Sequence, residues 1–271
     1  MNLVKRFWTA LVLLTFLFVV LQYASRTVMY LVLQAVVIAA LVEFYNLARR
    51  RRLQPKNGPG IFLALLLGAS FFVSGLSLEI ALFFGLAGVG LYYLIASRTL
   101  EAAVRVTESI ALTVFGAVYI GFTLNFLLPI RFEYGRAYLY FLLAVIFLGD
   151  TGAFFIGKLI GRHRMTPIAS PHKTWEGAGG GLLFAGLGAW AAQAVFLPLV
   201  PPGEAVAAGL AVSVAAQIGD PLESLFKRAA GVKDSSNALP GHGGFLDRLD
   251  SLLFAVPFFY FFVRFVWKPV G

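Results

Sequence analysis

The chain has 271 residues, 59% of them hydrophobic and 13% charged, with a mean hydropathy of +0.83. Soluble domains run near about 45–50% apolar and about 25% charged, so composition excludes both a soluble globular domain and a disordered chain. There is no cysteine, which removes disulfide frameworks, thiol nucleophiles and Cys-based zinc sites, and the net charge is +9.

Apolar runs of about 20 residues read as membrane-spanning helices. Nine follow in order: Phe7–Tyr23, Val28–Ala48, Ile61–Gly75, Leu78–Ser97, Glu108–Ile130, Ala137–Ile160, Gly177–Val200, Ala205–Phe226 and Leu249–Trp267. The fold class expected is all-α, a polytopic integral membrane bundle of about nine transmembrane helices. Lys5 and Arg6 before the first apolar run resemble a signal peptide, but eight further spans favour a retained first helix.

With the amino terminus in the cytoplasm, 17 of the 22 Lys and Arg residues fall on the inside, and Arg26, Arg131, Arg136, Arg264 and Lys268 fall outside. By the positive-inside rule the amino end is cytoplasmic and the carboxyl end is outside. Loops 161–176 and 227–248 then face the cytoplasm. This distribution accounts for the basic balance, so no nucleic-acid partner is expected. The Arg49–Arg52 run reads as topology alone, within a loop, Arg49–Gly60, that marks an internal boundary.

Acidic residues are distributed as unevenly. All five aspartates, Asp150, Asp220, Asp234, Asp247 and Asp250, lie in the second half. Residues 1–135 therefore read as a scaffold of about five helices, and 136–271 as a catalytic bundle carrying the two cytoplasmic loops. Glu43, near the end of the second span, is expected at the membrane interface or paired with an arginine.

The densest polar chemistry runs from Ser224 to Asp250, SLFKRAAGVKDSSNALPGHGGFLDRLD. Asp220, Glu223, Ser224 and Lys227 have i, i+3, i+4, i+7 spacing and share one helix face. Asp247 and Asp250 repeat the i, i+3 spacing at the start of the last span. Two acidic helix ends joined by a basic, Gly-rich loop suit a divalent cation and a polyphosphate, because Mg²⁺ takes one or two carboxylates plus phosphate oxygens and water. Lys227, Arg228 and Lys233 suit phosphate binding as well as inside topology. His242 precedes Gly243 and Gly244, where the backbone can approach a ligand closely; its ring either donates to a phosphate or caps the loop. Asp150 lies inside an apolar span, where ionised groups are expensive and line sites.

One motif misleads. Gly152–Lys158 reads G-x-x-x-x-G-K, but Leu159 stands where a P-loop needs Ser or Thr, and the four bulky residues between continue an apolar helix. Gly157 and Gly161 are better read as small residues for close helix packing.

The string Ser-x-apolar-Lys-Arg, then Lys-Asp, then Pro-x-His-Gly-Gly-apolar-x-Asp-Arg-apolar-Asp resembles the signature of phosphatidate cytidylyltransferases, the CDP-diacylglycerol synthases. GDTGAFFIGKLIG (149–161) and SPHKTWEG (170–177) resemble two further stretches of that family. The motifs cover roughly 140–265; the first 130 residues agree in hydrophobic pattern only. The resemblance implies that CTP and phosphatidate give CDP-diacylglycerol and pyrophosphate at a bacterial-type inner membrane. It implies Asp220 and Asp247 as principal Mg²⁺ ligands, with Glu223 and Asp250 as helpers, and leaves room for a second cation (K⁺) and for a homodimer. Catalytic roles fall to Asp220, Asp247, Lys227, Arg228, Lys233 and His242. Substrate contacts fall to Asp150, Ser170, Lys173, Thr174, Glu176, Ser224, Asp234, Gly243, Gly244 and Arg248.

Two rivals are weaker. CDP-alcohol phosphotransferases carry an Asp-Gly-x-x-Ala-Arg motif, and no Asp-Gly dipeptide occurs here. An ion-coupled transporter would be expected to show an inverted repeat, and none is detectable.

Overall fold

In the computed structural model the described residues are 3–267, with side chains from Phe7 onward except at 101–102. The side chains of Lys5 and Arg6, together with Lys268 and Gly271, lie outside the described residues. Nine apolar helical segments run in order: α1 (Leu3–Tyr23), α2 (Arg26–Arg50), α3 (Asn57–Ser70), α4 (Leu78–Ala96), α5 (Val106–Tyr134), α6 (Arg136–Ile160), α7 (Trp175–Phe196), α8 (Pro202–Ala229) and α9 (Leu246–Trp267). Seven of them, α2 and α4–α9, are long and apolar enough to cross a membrane; α1 and α3 are shorter apolar helices. The spans read from hydropathy match these segments, with ends displaced by a few residues. In chain order the start signals are ordinary ones: Ser25 Oγ caps α2 through Val28 N, and Ser77 Oγ caps α4 through Ile80 N.

The polar segment 161–176 is not a plain loop. Arg164–Thr166 (β1) and Ser170–Thr174 (β2) form an antiparallel hairpin, Arg164 opposite Thr174 and Thr166 opposite Ser170. Thr174 then caps α7, its Oγ1 accepting from Gly177 N at 3.1 Å.

The chain divides into two compact units. The first contains the residues up to Leu128 together with Ala229–Arg248, and the second Pro129–Arg228 with the residues from Leu249 onward. The loop 229–248 is thus grouped with the amino-terminal helices by its contacts.

In the first unit, α2 lies at the centre. Val37, Ala40, Leu41 and Tyr45 are fully buried, alongside Leu63, Ala64 and Leu67 of α3. Lipid provides no water for backbone or side-chain polar groups, so buried ones find protein partners. Tyr45 donates to Thr113 O at 2.6 Å, and Gln34 Nε2 donates to Asn125 Oδ1 at 2.8 Å. Arg49 has a local job beyond topology: its guanidinium bonds Asn46 Oδ1, Pro55 O and Asn57 Oδ1, which closes the turn from α2 into α3.

The second unit is dominated by the α6–α7 contact, a seam of small residues. A methyl group on Gly152 would strike Phe184 and come within 2.8 Å of Gly180 O; one on Gly177 would meet Ala153 O at 2.9 Å. Such seams let backbones approach where lipid offers no hydrophobic drive for association. The G-x-x-x-x-G-K segment is continuous α6 helix, and its glycines serve this seam.

Candidate active site

In the first unit the signature string folds into a tight, internally bonded loop. Leu239 N donates to Gly243 O (2.8 Å) and His242 N to Leu239 O (2.9 Å). Gly241 and Gly243 have φ of 78° and 81°, a left-handed backbone that disfavours any side chain. Arg248 closes the loop, its Nε and Nη2 donating to His242 O at 2.9 and 2.7 Å. His242 therefore contributes its carbonyl to loop closure, and its Nδ1 sits 3.4 Å from Pro240 O, a long contact. Lys233 and Asp234 are exposed on this loop.

Two carboxylates hold the loop from within. Asp247 Oδ2 accepts from Ser235 N (2.9 Å) and Gly244 N (2.8 Å), and lies 2.9 Å from Ser235 Oγ, whose single proton is shared between this oxygen and Glu43. Glu43, on α2, accepts from Ser235 Oγ (2.9 Å), Ser236 Oγ (2.6 Å), Phe245 N (3.1 Å) and Leu246 N (2.9 Å). The expectation that Glu43 faces the interface or pairs with an arginine is overturned. It is 6% exposed and satisfied by hydroxyls and main-chain amides of the loop. The physical reason lies at the start of α9. The first amides of a helix have no intrahelical acceptor and carry partial positive charge, so a carboxylate placed there needs no cation. The glycine pair is required for the same approach: a methyl on Gly243 would lie 2.6 Å from Asp247 Oδ2, and one on Gly244 would overlap Ser235 Oγ and Glu43 Oε2.

The second unit handles its carboxylates differently. Along α8, Lys173 of β2 pairs with Asp220, and Lys227 pairs with Glu223 one turn away. These pairs differ in burial: the side chains of Lys173 and Asp220 are 26% and 32% exposed, those of Lys227 and Glu223 11% and 0%. Half-open pairs contribute about 0–1 kcal/mol, so Lys173 and Asp220 can exchange partners cheaply. Removing one partner of a buried pair costs about 3–5 kcal/mol, so Lys227 is needed to keep Glu223 in place.

Around them stand the other acidic residues. Asp150 is close enough to feel the charges of Asp220 and Lys173, and Ser251 Oγ donates to its Oδ2 at 3.2 Å. Asp250 feels Asp220, Glu223 and Lys227. Gly219 makes this approach possible, since a methyl there would overlap the Asp250 carbonyl. Pro221, directly after Asp220 inside α8, removes the amide that would bond the Gln217 carbonyl, loosening the helix ladder at this level. Ser224 Oγ reaches Asp220 Oδ1 only at 3.4 Å.

The hairpin is fastened to α8 at a second point, where Arg228 Nε donates to Ala169 O at 3.3 Å. Ser170 opens the strand that carries Lys173. Thr174 and Glu176 act locally: Thr174 caps α7, and Glu176 accepts from Arg162 N (3.1 Å), His163 N (3.2 Å) and His163 Nδ1 (2.5 Å). Among the expected residues, the second unit thus brings together Asp150, Lys173, Asp220, Glu223, Ser224, Lys227 and Asp250. The first unit brings together Asp247, His242, Gly243, Gly244 and Arg248. Sequence reasoning missed Glu43 and Ser235 as members of the loop site, and Ser251 as the partner of Asp150. For Glu43 the signal was present: a carboxylate inside a membrane helix is a functional residue by default.

Among the described residues, no three His, Asp or Glu side chains converge into a ready-made metal cage. The donor set nevertheless fits a hard cation. It is all oxygen, and Mg²⁺ is ordinarily held by one or two carboxylates with substrate phosphates and water, not by an all-protein cage.

Seven helices long and apolar enough to cross a membrane, with ion pairs on α8, describe an integral membrane protein. A family model described as "Cytidylyltransferase family" matches residues 4–266, and the chain belongs to that family. It is 37% identical over 231 residues to the phosphatidate cytidylyltransferase of Bacillus subtilis (strain 168), covering 81% of this chain and 84% of that protein. It is 40% identical over 148 residues to the protein of the same name from Staphylococcus aureus (strain COL), covering 54% of this chain and 56% of that one.

Proposed function

We propose that this chain is a phosphatidate cytidylyltransferase that converts CTP and phosphatidate into CDP-diacylglycerol and pyrophosphate. The observation that carries the reading is the α8 constellation, two lysines each held against a carboxylate. Lys173 can exchange Asp220 for a phosphate oxygen, which leaves Asp220 available to a cation, while the buried Lys227–Glu223 pair keeps its partners. The lipid phosphate attacks the α-phosphorus of CTP, a P–O bond forms there, the bond to the β-phosphate breaks, and pyrophosphate departs. Phosphatidate carries a phosphomonoester whose second pKa lies near about 6 by analogy with phosphorylated side chains, so it needs no protein nucleophile. What remains for the protein is positioning and charge neutralisation. Lys173, half open to solvent beside Asp220, binds triphosphate or lipid phosphate, with Arg228 and Lys233 as further phosphate-binding cations, while the buried Lys227 holds Glu223. In the second unit Asp220, helped by Glu223 and Asp250, would hold Mg²⁺, which when bound offsets charge on the transferring phosphates; Asp247 of the first unit is the other principal ligand that the family resemblance implies. A second cation and a homodimer have no residue assigned to them among the described ones.

The amino terminus and both polar segments face the cytoplasm in this reading, so CTP arrives from that side and acyl chains enter from the bilayer. Purified protein given CTP, phosphatidate and Mg²⁺ should release pyrophosphate and liponucleotide only when all three are present. Robust turnover in excess chelator, or no pyrophosphate with any lipid, overturns the proposal. Orientation is tested with single cysteines at Asn2, Asn237 and Gly271 and an impermeant thiol reagent. In intact cells only the Gly271→Cys protein should react.

A further inference from the structure

We propose that Glu43 is a positioning residue for the reaction: from α2 it clamps the loop 235–246 and thereby fixes where Asp247 points. The assignment rests on the cytidylyltransferase reading of Asp247 for its catalytic consequence, but not for the clamp itself.

Four donors converge on one buried carboxylate. Ser235 and Ser236 supply hydroxyls, and Phe245 and Leu246 supply consecutive amides at the start of α9. Glu43 is 192 to 203 residues away from these donors in sequence, so the bonds pin a distant loop to the buried helix of the first unit. An ionised carboxylate presents about four lone-pair sites, and here they are met from one segment, the same one that orients Asp247.

The coupling to Asp247 runs through shared atoms. Ser235 Oγ lies 2.9 Å from Glu43 Oε2 and 2.9 Å from Asp247 Oδ2. Ser235 N and Gly244 N, which hold Asp247 Oδ2, belong to the same loop that Glu43 secures. Gly244 fits only because it has no side chain, being wedged between Ser235 and Glu43. Moving the Glu43 carboxylate therefore moves both donors of Asp247. An amide at this position keeps the shape but turns an NH₂ group toward donors, so at least one of the four bonds becomes a donor–donor clash.

The experiment compares Glu43→Gln, Glu43→Asp and Ser236→Ala with the parent chain, all full length and purified in the same detergent. Hydrogen exchange over 235–248 and over 136–160 is followed together with turnover, KM for CTP and the Mg²⁺ concentration giving half-maximal rate. Loss of partners that orient a metal ligand typically costs about 10–100-fold in metal affinity or activity. Glu43→Gln should show that loss in kcat or in Mg²⁺ requirement, with KM for CTP changed far less. Exchange should rise at the loop and stay unchanged across α6. Glu43→Asp, one methylene short, should not rescue it, and Ser236→Ala should fall between.

Parental turnover and Mg²⁺ dependence in Glu43→Gln overturn the proposal. So does lost turnover with an unchanged loop, or raised exchange across both segments, which would mark a merely structural residue. If Glu43→Gln does not yield folded protein, Ser236→Ala decides by the same readings. Should the parent chain make no CDP-diacylglycerol, the functional proposal fails, while loop exchange still tests the clamp.

Discussion

The two units neutralise their carboxylates by opposite means. Glu43 and Asp247 in the first are held by hydroxyls and main-chain amides, whereas Asp220 and Glu223 in the second are held by the ammonium groups of Lys173 and Lys227. An amide dipole is fixed in the fold and has no other use. A lysine is a mobile point charge that can pass from a carboxylate to a phosphate. Carboxylates answered by dipoles are thus held in one fixed place, and an open lysine–carboxylate pair such as Lys173–Asp220 is suited to changing partners during a reaction.

That contrast can be broken most severely at the aspartates themselves. Asp220→Asn and Asp247→Asn keep size and remove charge; each should lose most of its turnover at saturating Mg²⁺ while inserting and purifying normally. The double variant should be no worse than the poorer single, since groups acting as one unit fail together. Near-normal turnover in either single variant would remove that residue from the metal-binding set.

Lys227→Met comes next. It strands a fully buried Glu223 and should cost about 3–5 kcal/mol, read as a fall in the thermal midpoint in detergent. Adding Glu223→Gln should return most of that stability without returning activity. If the single variant is as stable as the parent, the pair is not the support described here. Lys173→Met, by contrast, breaks a half-open pair and should leave the midpoint almost unmoved, within about 1 kcal/mol, while raising KM for CTP or for phosphatidate.

The smallest effect belongs to a cap. Thr174→Ala removes the acceptor for Gly177 N and should cost about 1 kcal/mol, with turnover reduced only as far as the hairpin bearing Lys173 is displaced. A loss of activity as large as that of Asp220→Asn would give Thr174 a role in the chemistry.

Much of this architecture is legible in the amino-acid order. Hydropathy locates all nine helices, because a helix in lipid must be apolar over its length whatever it packs against. The i, i+3, i+4, i+7 face of α8 is legible too, since helical spacing alone brings Asp220, Glu223, Ser224 and Lys227 to one side. The hairpin 164–174 is hidden, because its strands are three and five residues long and lie among charged residues with no alternation of apolar positions. What Glu43 binds is hidden for another reason. Its partners are some two hundred positions away, and no local pattern reports a bond of that span; the charge run at Arg49–Arg52 offered a nearer partner that the fold uses to close a turn.

The glycine seam between α6 and α7 has one more consequence, for handling the protein. Attraction that comes from backbone-to-backbone contact owes nothing to the expulsion of water. It should therefore survive the exchange of lipid for detergent. Crowding the seam is another matter: Gly152→Val, which places branched carbons against Phe184 and Gly180, should prise the two helices apart even in the native bilayer.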